Sequence, residues 1–237
     1  MSSNTKQFTL IGIAAGLFAS ILIAGLAGNV ARGNYLAVPA IGGALVFAAG
    51  AVWLGVWLNQ RRIQLMFRRP TPDRLLEHYH AALIQARARK IPHADAATAQ
   101  LCALAATVYG QYDLARQELA AADWDSAPTM YQGHRRDLLA LIALLGKADV
   151  ATARELAMTV PPEKPPILHN AVLVAIGEAD AGAILRVERA AARNMGAIPA
   201  VCAWALSLYA ERSGQADAAE RYRVRAREAA PHFSAVI

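Results

Sequence analysis

Cysteine is scarce in this sequence: the 237 residues include only two, and they form no Cys-x-x-Cys pair. Cys102 and Cys202 each lie in an apolar, helix-like stretch, with no histidine at the spacing expected of a metal-ligand partner. Small domains held together by disulfides need more cysteines and an oxidising compartment. The sequence therefore predicts two buried free thiols in a reducing compartment and no metal site.

Motifs that assemble an active site are missing too. The chain has no Gly-x-Ser-x-Gly turn, no glycine-rich phosphate loop ending in Lys-Ser/Thr and no His-Glu-x-x-His. His78 and His80 are two residues apart, which places them on different sides of a helix. Glu77 and His80 have the spacing of half a di-iron site, but no second Glu-x-x-His occurs. We therefore expect neither enzymatic activity nor a cofactor.

Charged residues are absent from two long stretches near the amino terminus, residues 8–28 and 33–60. A helix rises about 1.5 Å per residue, so about 20 apolar residues cross the hydrocarbon core of a bilayer. Because a helix satisfies its own backbone hydrogen bonds, both stretches are predicted to be transmembrane helices, over about residues 8–28 and 36–58. Residues 1–58 would then form a membrane hairpin.

The first stretch has a second interpretation. Lys6 precedes the apolar run, and the small residues at 24–28 resemble the cleavage site of a secretory signal peptide. However, the run is longer than the apolar core of such signals, which is about 7–15 residues, and a second full-length stretch follows it. An uncleaved hairpin is the favoured interpretation, and a cleaved signal is the alternative.

Small residues recur at every fourth position of the first stretch and would share one face of a helix: Gly12, Gly16, Ser20, Ala24 and Gly28. Small side chains let membrane helices approach closely. The stripe predicts packing on the second span or on another copy of the chain, which would make a homo-oligomer. The other interpretation is that glycine and alanine are simply common in membrane helices.

Arginines follow the second stretch directly, as a cluster expected to face lipid headgroups: Arg61, Arg62, Arg68 and Arg69. Residues 59–90 contain eight basic and two acidic residues, a net charge of +6, whereas residues 91–237 contain 14 basic and 16 acidic residues, a net charge of −2. The positive-inside rule then places both termini in the cytoplasm, with 59–70 as a basic juxtamembrane linker. Because the remaining domain has no basic excess, we expect no nucleic-acid binding.

One six-residue pattern occurs four times, as GQYDLA at 110–115, GKADVA at 146–151, GEADAG at 177–182 and GQADAA at 214–219. Helix-forming residues fill the segments between the copies. A glycine can adopt the left-handed conformation that ends a helix, and an aspartate can accept backbone N–H bonds where the next helix starts. Each copy therefore predicts the turn of a helical hairpin, with turn glycines Gly110, Gly146, Gly177 and Gly214.

The spacing of these copies, 31 to 37 residues, resembles that of tetratricopeptide repeats. The fourth copy is the most similar and has small or apolar residues and a proline where the family favours them: Leu206, Ala219, Ala226 and Pro231. The third departs furthest, since Arg189 stands where a small residue is expected. The resemblance implies an all-α fold in which residues 71–237 form a TPR-like solenoid in the cytoplasm, beginning with an extra helix at 71–90. An irregular all-α bundle is the alternative.

In that family the first helix of each repeat lines a groove that binds a protein partner. By this resemblance the groove residues here would be Gln100, Arg136, Trp204, Leu208 and Glu211. An exposed Trp204 would be the strongest anchor, because aromatic residues dominate binding hot spots. Alternatively, Trp204 belongs to the core and is covered by the residues that follow Pro231, among them Phe233, Val236 and Ile237.

Two classes of function follow from this organisation. The first is a membrane-anchored protein–protein interaction module whose TPR-like domain binds a partner at the cytoplasmic surface. The second is a structural or auxiliary subunit of a membrane complex, whose transmembrane hairpin makes the main contacts. Twenty arginines against four lysines, with abundant alanine, are typical of a GC-rich bacterial genome, so we expect the chain in a bacterial inner membrane.

Overall fold

The computed structural model describes residues 37–159, 165–193 and 195–236, with side chains from residue 47 onward. These residues form ten α-helices and no strand: α1 (Ala37–Met66), α2 (Asp73–Ala88), α3 (Ala94–Val108), α4 (Tyr112–Ala120), α5 (Thr129–Lys147), α6 (Val150–Met158), α7 (Ile167–Ile176), α8 (Ala181–Ala191), α9 (Ala197–Arg212) and α10 (Ala216–Ala229). The described part of the chain therefore belongs to the all-α class that the sequence predicts.

The amino-terminal segment is described only from residue 37. The first expected span, and with it the small residues Gly12, Gly16, Ser20, Ala24 and Gly28, lies outside the described residues. Contacts divide the chain into two compact units, residues 1–62 and 63–237. Most of α1 belongs to the first unit, and this helix continues past residue 58, where the second expected span ends.

Among the described residues, no helix by itself combines enough length with enough apolar character to cross a bilayer. The helices Ile167–Ile176 and Ala181–Ala191 meet those criteria only as a pair, by length and composition, and the chain bends by 115° between them.

In the part of the second unit that the structure describes, the helices form four helical hairpins, preceded by α2, which packs on α3. The hairpins are α3–α4, α5–α6, α7–α8 and α9–α10, and the second helix of each of the first three also contacts the first helix of the next hairpin. The first helices touch in series, α3 with α5, α5 with α7 and α7 with α9. In addition α3 contacts α9, so the first and the last hairpin meet.

The core of this unit combines many alanines with larger aliphatic residues. Ala103, Ala140, Ala171 and Ala203 are completely buried, and so are branched side chains beside them, such as Leu141. Small residues at a contact let two helix axes approach closely, while the larger side chains fill the space between. Each fully buried Leu or Val stabilises the fold by about 1.5–3 kcal/mol through the loss of water contact.

Three of the four turn glycines adopt the left-handed conformation, with φ of +74° at Gly110, +87° at Gly177 and +70° at Gly214. The N–H of the residue after each glycine donates back to a carbonyl five residues earlier, as from Gln111 to Ala106 at 2.9 Å. This pattern satisfies carbonyls that a helix end would otherwise leave unpaired. A residue other than glycine would have a strained backbone at these positions.

Gly146 was expected to end a helix in the same way, and this expectation is wrong. Helix α5 continues through Gly146 to Lys147, and the left-handed residue is Ala148, with φ of +52°. The N–H of Asp149 donates to the Ala143 carbonyl at 3.1 Å. The helix therefore ends two residues later than the repeat pattern indicates.

The aspartates of the four copies divide into two pairs. Asp149 and Asp180 are the N-cap residues of α6 and α8, and each accepts a backbone N–H bond, from Thr152 at 3.0 Å and Ala183 at 2.5 Å. Asp113 and Asp217 instead lie in the first turn of their helices, after a glutamine at the N-cap. There they interact favourably with the positive end of the helix dipole without capping it.

Two arginine side chains of the fourth hairpin bind the carboxyl ends of helices in the third. Arg212, at the end of α9, donates to the carbonyl oxygens of Ala175 and Val174 at the end of α7, at 2.7 and 2.5 Å. Burial lowers the pKa of its guanidinium. Arg225 of α10 donates to Ala191 at the end of α8, at 3.0 Å. Cations at these helix ends complement the negative end of the dipole.

Candidate functional site

The residues expected to line a groove do not form one open surface. Gln100 is partly buried: its amide donates to the Tyr131 carbonyl at 3.0 Å, and its Oε1 lies 3.2 Å from His134 Nδ1. Arg136 and Leu208 are partly buried. Glu211 is exposed and forms an ion pair with Arg223 of α10.

Trp204 is buried, with only 7% of its surface exposed. Phe233, which is completely buried, meets the indole edge-on, with ring centroids 6.3 Å apart and planes at 74°. Edge-to-face packing of this kind is a favoured aromatic geometry. The expectation of an exposed Trp204 is therefore wrong, and the alternative, in which residues after Pro231 cover it, describes the structure.

The segment formed by residues 230–236, which we call the C-terminal strap, also contacts the first hairpin. The N–H of Ser234 donates to the Val108 carbonyl at 3.0 Å, and its hydroxyl lies 3.0 Å from the Tyr112 hydroxyl. His232 stacks on Tyr109, with centroids 6.3 Å apart. The strap therefore joins the end of α10 to the turn between α3 and α4.

A buried acid–base pair lies in the layer of first helices. Asp137 of α5 and His169 of α7 are both buried, and His169 Nδ1 lies 2.8 Å from Asp137 Oδ1. The other carboxylate oxygen of Asp137 has no hydrogen-bond partner among the residues that the structure describes. One turn earlier on α5, burial lowers the pKa of His134, and the charge of Asp137 opposes part of this shift. A polar seam therefore runs from Gln100 through His134 and Asp137 to His169.

A second polar cluster lies where α2, α3 and α4 meet. It contains His80, Cys102 and Glu118, whose side-chain nitrogen, sulfur and oxygen atoms all lie within 4.8 Å of one another. His80 Nε2 is 3.2 Å from Glu118 Oε2. Burial and the neighbouring Glu118 raise the pKa of the Cys102 thiol to about 12. Cys102 and Cys202 are buried free thiols, as expected, but Cys102 has a histidine and a carboxylate beside it.

Comparisons with protein-family models, with curated proteins and with solved structures found no match to this chain.

Both polar groups are missed by reading the sequence, because their members are far apart in the chain. One local signal was available for the first: Asp137 directly precedes the apolar run LLALIALL, and His169 lies within ILHNAVLVAI. A charged or polar side chain inside an apolar helix is usually paired when buried. No comparable signal marks His80, which lies in a polar, amphipathic helix.

Proposed function

We propose that this chain is a membrane-anchored protein–protein interaction module. In this proposal the apolar amino-terminal segment forms two transmembrane helices, and the helical hairpins form a TPR-like cytoplasmic domain that binds a protein partner beside a bacterial inner membrane. The support comes from the exposed side chains of α1, from the order in which the hairpins stack and from the contact between the strap and Trp204.

The exposed side chains of α1 support the membrane anchor. Phe47 is 80% exposed and Trp53 is 66% exposed, within residues 47–58, which carry no charge. A row of large apolar side chains in water is unfavourable, and the interior of a bilayer would cover it. Arg61 follows, with its guanidinium 5.1 Å from the centre of the Trp57 ring. An arginine beside an aromatic residue suits the boundary between a bilayer and the cytoplasm.

The stacking order supports the TPR-like interpretation. First helices that contact in series, with each second helix leaning on the following hairpin, form the kind of array in which one layer of helices lines a binding face. The strap is the observation that carries the proposal. It shows that the face of α9 around Trp204 accepts a short segment with an aromatic side chain. We propose that a partner segment of similar chemistry binds there by displacing the strap.

Site-specific photo-crosslinking in membranes of the full chain tests this proposal. A photoreactive amino acid at Leu208, which lies one turn after Trp204 on α9, is expected to capture a protein, and Phe233→Ala should increase the yield. The same group at Val224, on the exposed side of α10, is the matched control. Equal capture at both positions, or none at Leu208 with or without Phe233→Ala, would contradict binding at this face.

An auxiliary subunit is the second candidate function, and the exposed row on α1 favours it. In that case the photoreactive group at Trp53 should capture a protein, while the group at Leu208 captures none. The interaction module instead predicts protein at Leu208, with lipid as the main product at Trp53. Carbonate washing of the membranes checks the anchor itself, because an integral protein stays in the pellet.

A further inference from the structure

We propose that His80, Cys102 and Glu118 form a binding site for a divalent transition metal ion, and that zinc is the ion the site fits best. Each residue comes from a different helix, α2, α3 and α4, and each offers one ligand atom. The three ligand atoms lie within 4.8 Å of one another, although the residues span 38 positions of the chain. This site is independent of the interaction function proposed above.

The distances suit a tetrahedral ion. With metal–ligand bonds of about 2.0–2.3 Å, two ligands of one tetrahedron lie roughly 3.2–3.7 Å apart. The 3.2 Å between His80 Nε2 and Glu118 Oε2 already matches one such edge. The remaining edges, none longer than 4.8 Å, need only small rotations of side chains to close. The helices therefore hold the three groups close to the geometry that the ion requires.

The types of ligand select among metals. Imidazole and thiolate are ligands that zinc accepts readily, together with one carboxylate, whereas magnesium and calcium prefer oxygen ligands alone. Exposure increases from Cys102, which is completely buried, through Glu118, with 16% of its side chain exposed, to His80, with 48%. The inner ligand is therefore fixed within the core, and the outer side of the site opens to water.

Three protein ligands leave the fourth position of a tetrahedron for a water molecule, which is the pattern of sites that bind a substrate or exchange their ion. When the ion binds, it takes the place of the proton on the Cys102 sulfur, and this proton is released to solvent. The resulting thiolate and the Glu118 carboxylate together carry two negative charges, which balance the charge of the ion. Without the ion, His80 pairs with Glu118.

Cobalt titration of the full chain in detergent micelles tests the site directly. Co²⁺ in a tetrahedral site with a thiolate ligand should give a sulfur-to-cobalt charge-transfer band, together with visible d–d bands, and Zn²⁺ should abolish both. Cys102→Ser should remove the charge-transfer band. Cys202→Ser is the matched control, because Cys202 is also buried but lies outside the cluster. It should keep the full spectrum.

Cys102 lies in the core, so a variant there could lose its fold for other reasons. His80→Gln changes a half-exposed side chain instead, and it should weaken Co²⁺ binding at least about tenfold while the circular dichroism spectrum stays unchanged. His78→Gln, on the same helix, should bind as the wild type does. Zn²⁺ should also raise the melting temperature of the wild type, as binding to the folded state requires, and Mg²⁺ should not.

Two results would overturn the proposal. One is the absence of a charge-transfer band in the wild type at saturating Co²⁺. The other is unchanged Co²⁺ affinity in folded His80→Gln, which would mean that His80 and Glu118 form an ion pair and nothing more.

Discussion

The ring of Tyr112 lies against the backbone of Gly146, so closely that a β-carbon on Gly146 would be 3.2 Å from two of its ring atoms. Tyr112 starts the second helix of the first hairpin, and Gly146 belongs to the last turn of α5 in the second. The hydroxyl of the same ring reaches Ser234 of the strap. One side chain therefore holds together the first hairpin, the second hairpin and the C-terminal strap.

Alanine substitutions at the two glycines of α5 should have opposite effects. At Gly133 a β-carbon would meet only Arg136 Nη2, at 4.0 Å, so Gly133→Ala should stabilise the protein by about 0.5–1 kcal/mol through helix propensity. Gly146→Ala should destabilise it by roughly 1–2 kcal/mol, because the Tyr112 ring must shift. Urea denaturation followed by circular dichroism measures both. In a Tyr112→Ala background the two alanines should become equivalent, and a persisting difference would contradict the packing explanation.

Alanine substitutions at Gly110 and Gly214 should distinguish the cost of backbone strain from the cost of steric contact. Both have positive φ, but a β-carbon at Gly110 would be 2.9 Å from Ser234 Cβ, whereas one at Gly214 would meet nothing within 4 Å. Gly214→Ala should therefore cost about 1 kcal/mol, and Gly110→Ala at least about 1 kcal/mol more. Adding Ser234→Gly should recover the excess at Gly110 and nothing at Gly214. Equal costs for the two alanines would show that the strap moves aside freely.

Phe233→Ala tests whether the strap stabilises the domain. Removing a completely buried aromatic side chain costs about 3–5 kcal/mol where the cavity stays open. Val236→Ala, in the same strap but partly buried, should cost less than about 1 kcal/mol. Fluorine NMR of fluorotryptophan-labelled protein, with the Trp204 signal assigned by Trp204→Phe, should show solvent exposure only in Phe233→Ala. A loss below about 0.5 kcal/mol with Trp204 still shielded would contradict this role.

His134 should make stability depend on pH. Because burial lowers its pKa in the folded state, the unfolded chain binds the proton first as the pH falls below about 6.5. The contribution of His134 to the free energy of unfolding is thus complete above that pH. It is lost on acidification, by up to about 1.4 kcal/mol per pH unit. Denaturation midpoints measured between pH 5 and 8 should fall less steeply in His134→Gln than in wild type. In the control His93→Asn, the midpoint should change with pH as steeply as in wild type. An equally reduced pH dependence in His93→Asn would show that the effect does not come from His134.

Features governed by neighbours in sequence are the ones that the sequence predicts well. The left-handed glycines at 110, 177 and 214 depend on hydrogen bonds within one helix end, and the caps at Asp149 and Asp180 reach only three residues forward. Helix α2, expected from residue 71, starts at Asp73, and the residues around this start, Thr71, Pro72 and Asp73, are of types that favour a helix amino terminus through local interactions. These interactions need no knowledge of the rest of the fold.

Features set by tertiary contacts were missed or misread. The repeat pattern predicts that Gly146 ends a helix in the left-handed conformation. In the structure this glycine instead leaves room for the ring of Tyr112, which lies 34 positions earlier in the chain. His80 meets Cys102 and Glu118 only after three helices have packed, and Asp137 meets His169 across two hairpins. The burial of Trp204 depends on a strap residue 29 positions later. Spacing along one helix carries no information about such partners.

The contact between the strap and Val108 limits how this protein can change its length. An open array of hairpins can gain or lose a unit at either end, because each unit needs only its neighbours. Here α3 touches α9 and the strap of the last hairpin bonds to the first, so the two ends of the array are complementary surfaces. Inserting or deleting one hairpin would separate them and expose Phe233. The contact between the first and the last hairpin therefore fixes the number of hairpins in the array, as closure fixes the number of strands in a barrel.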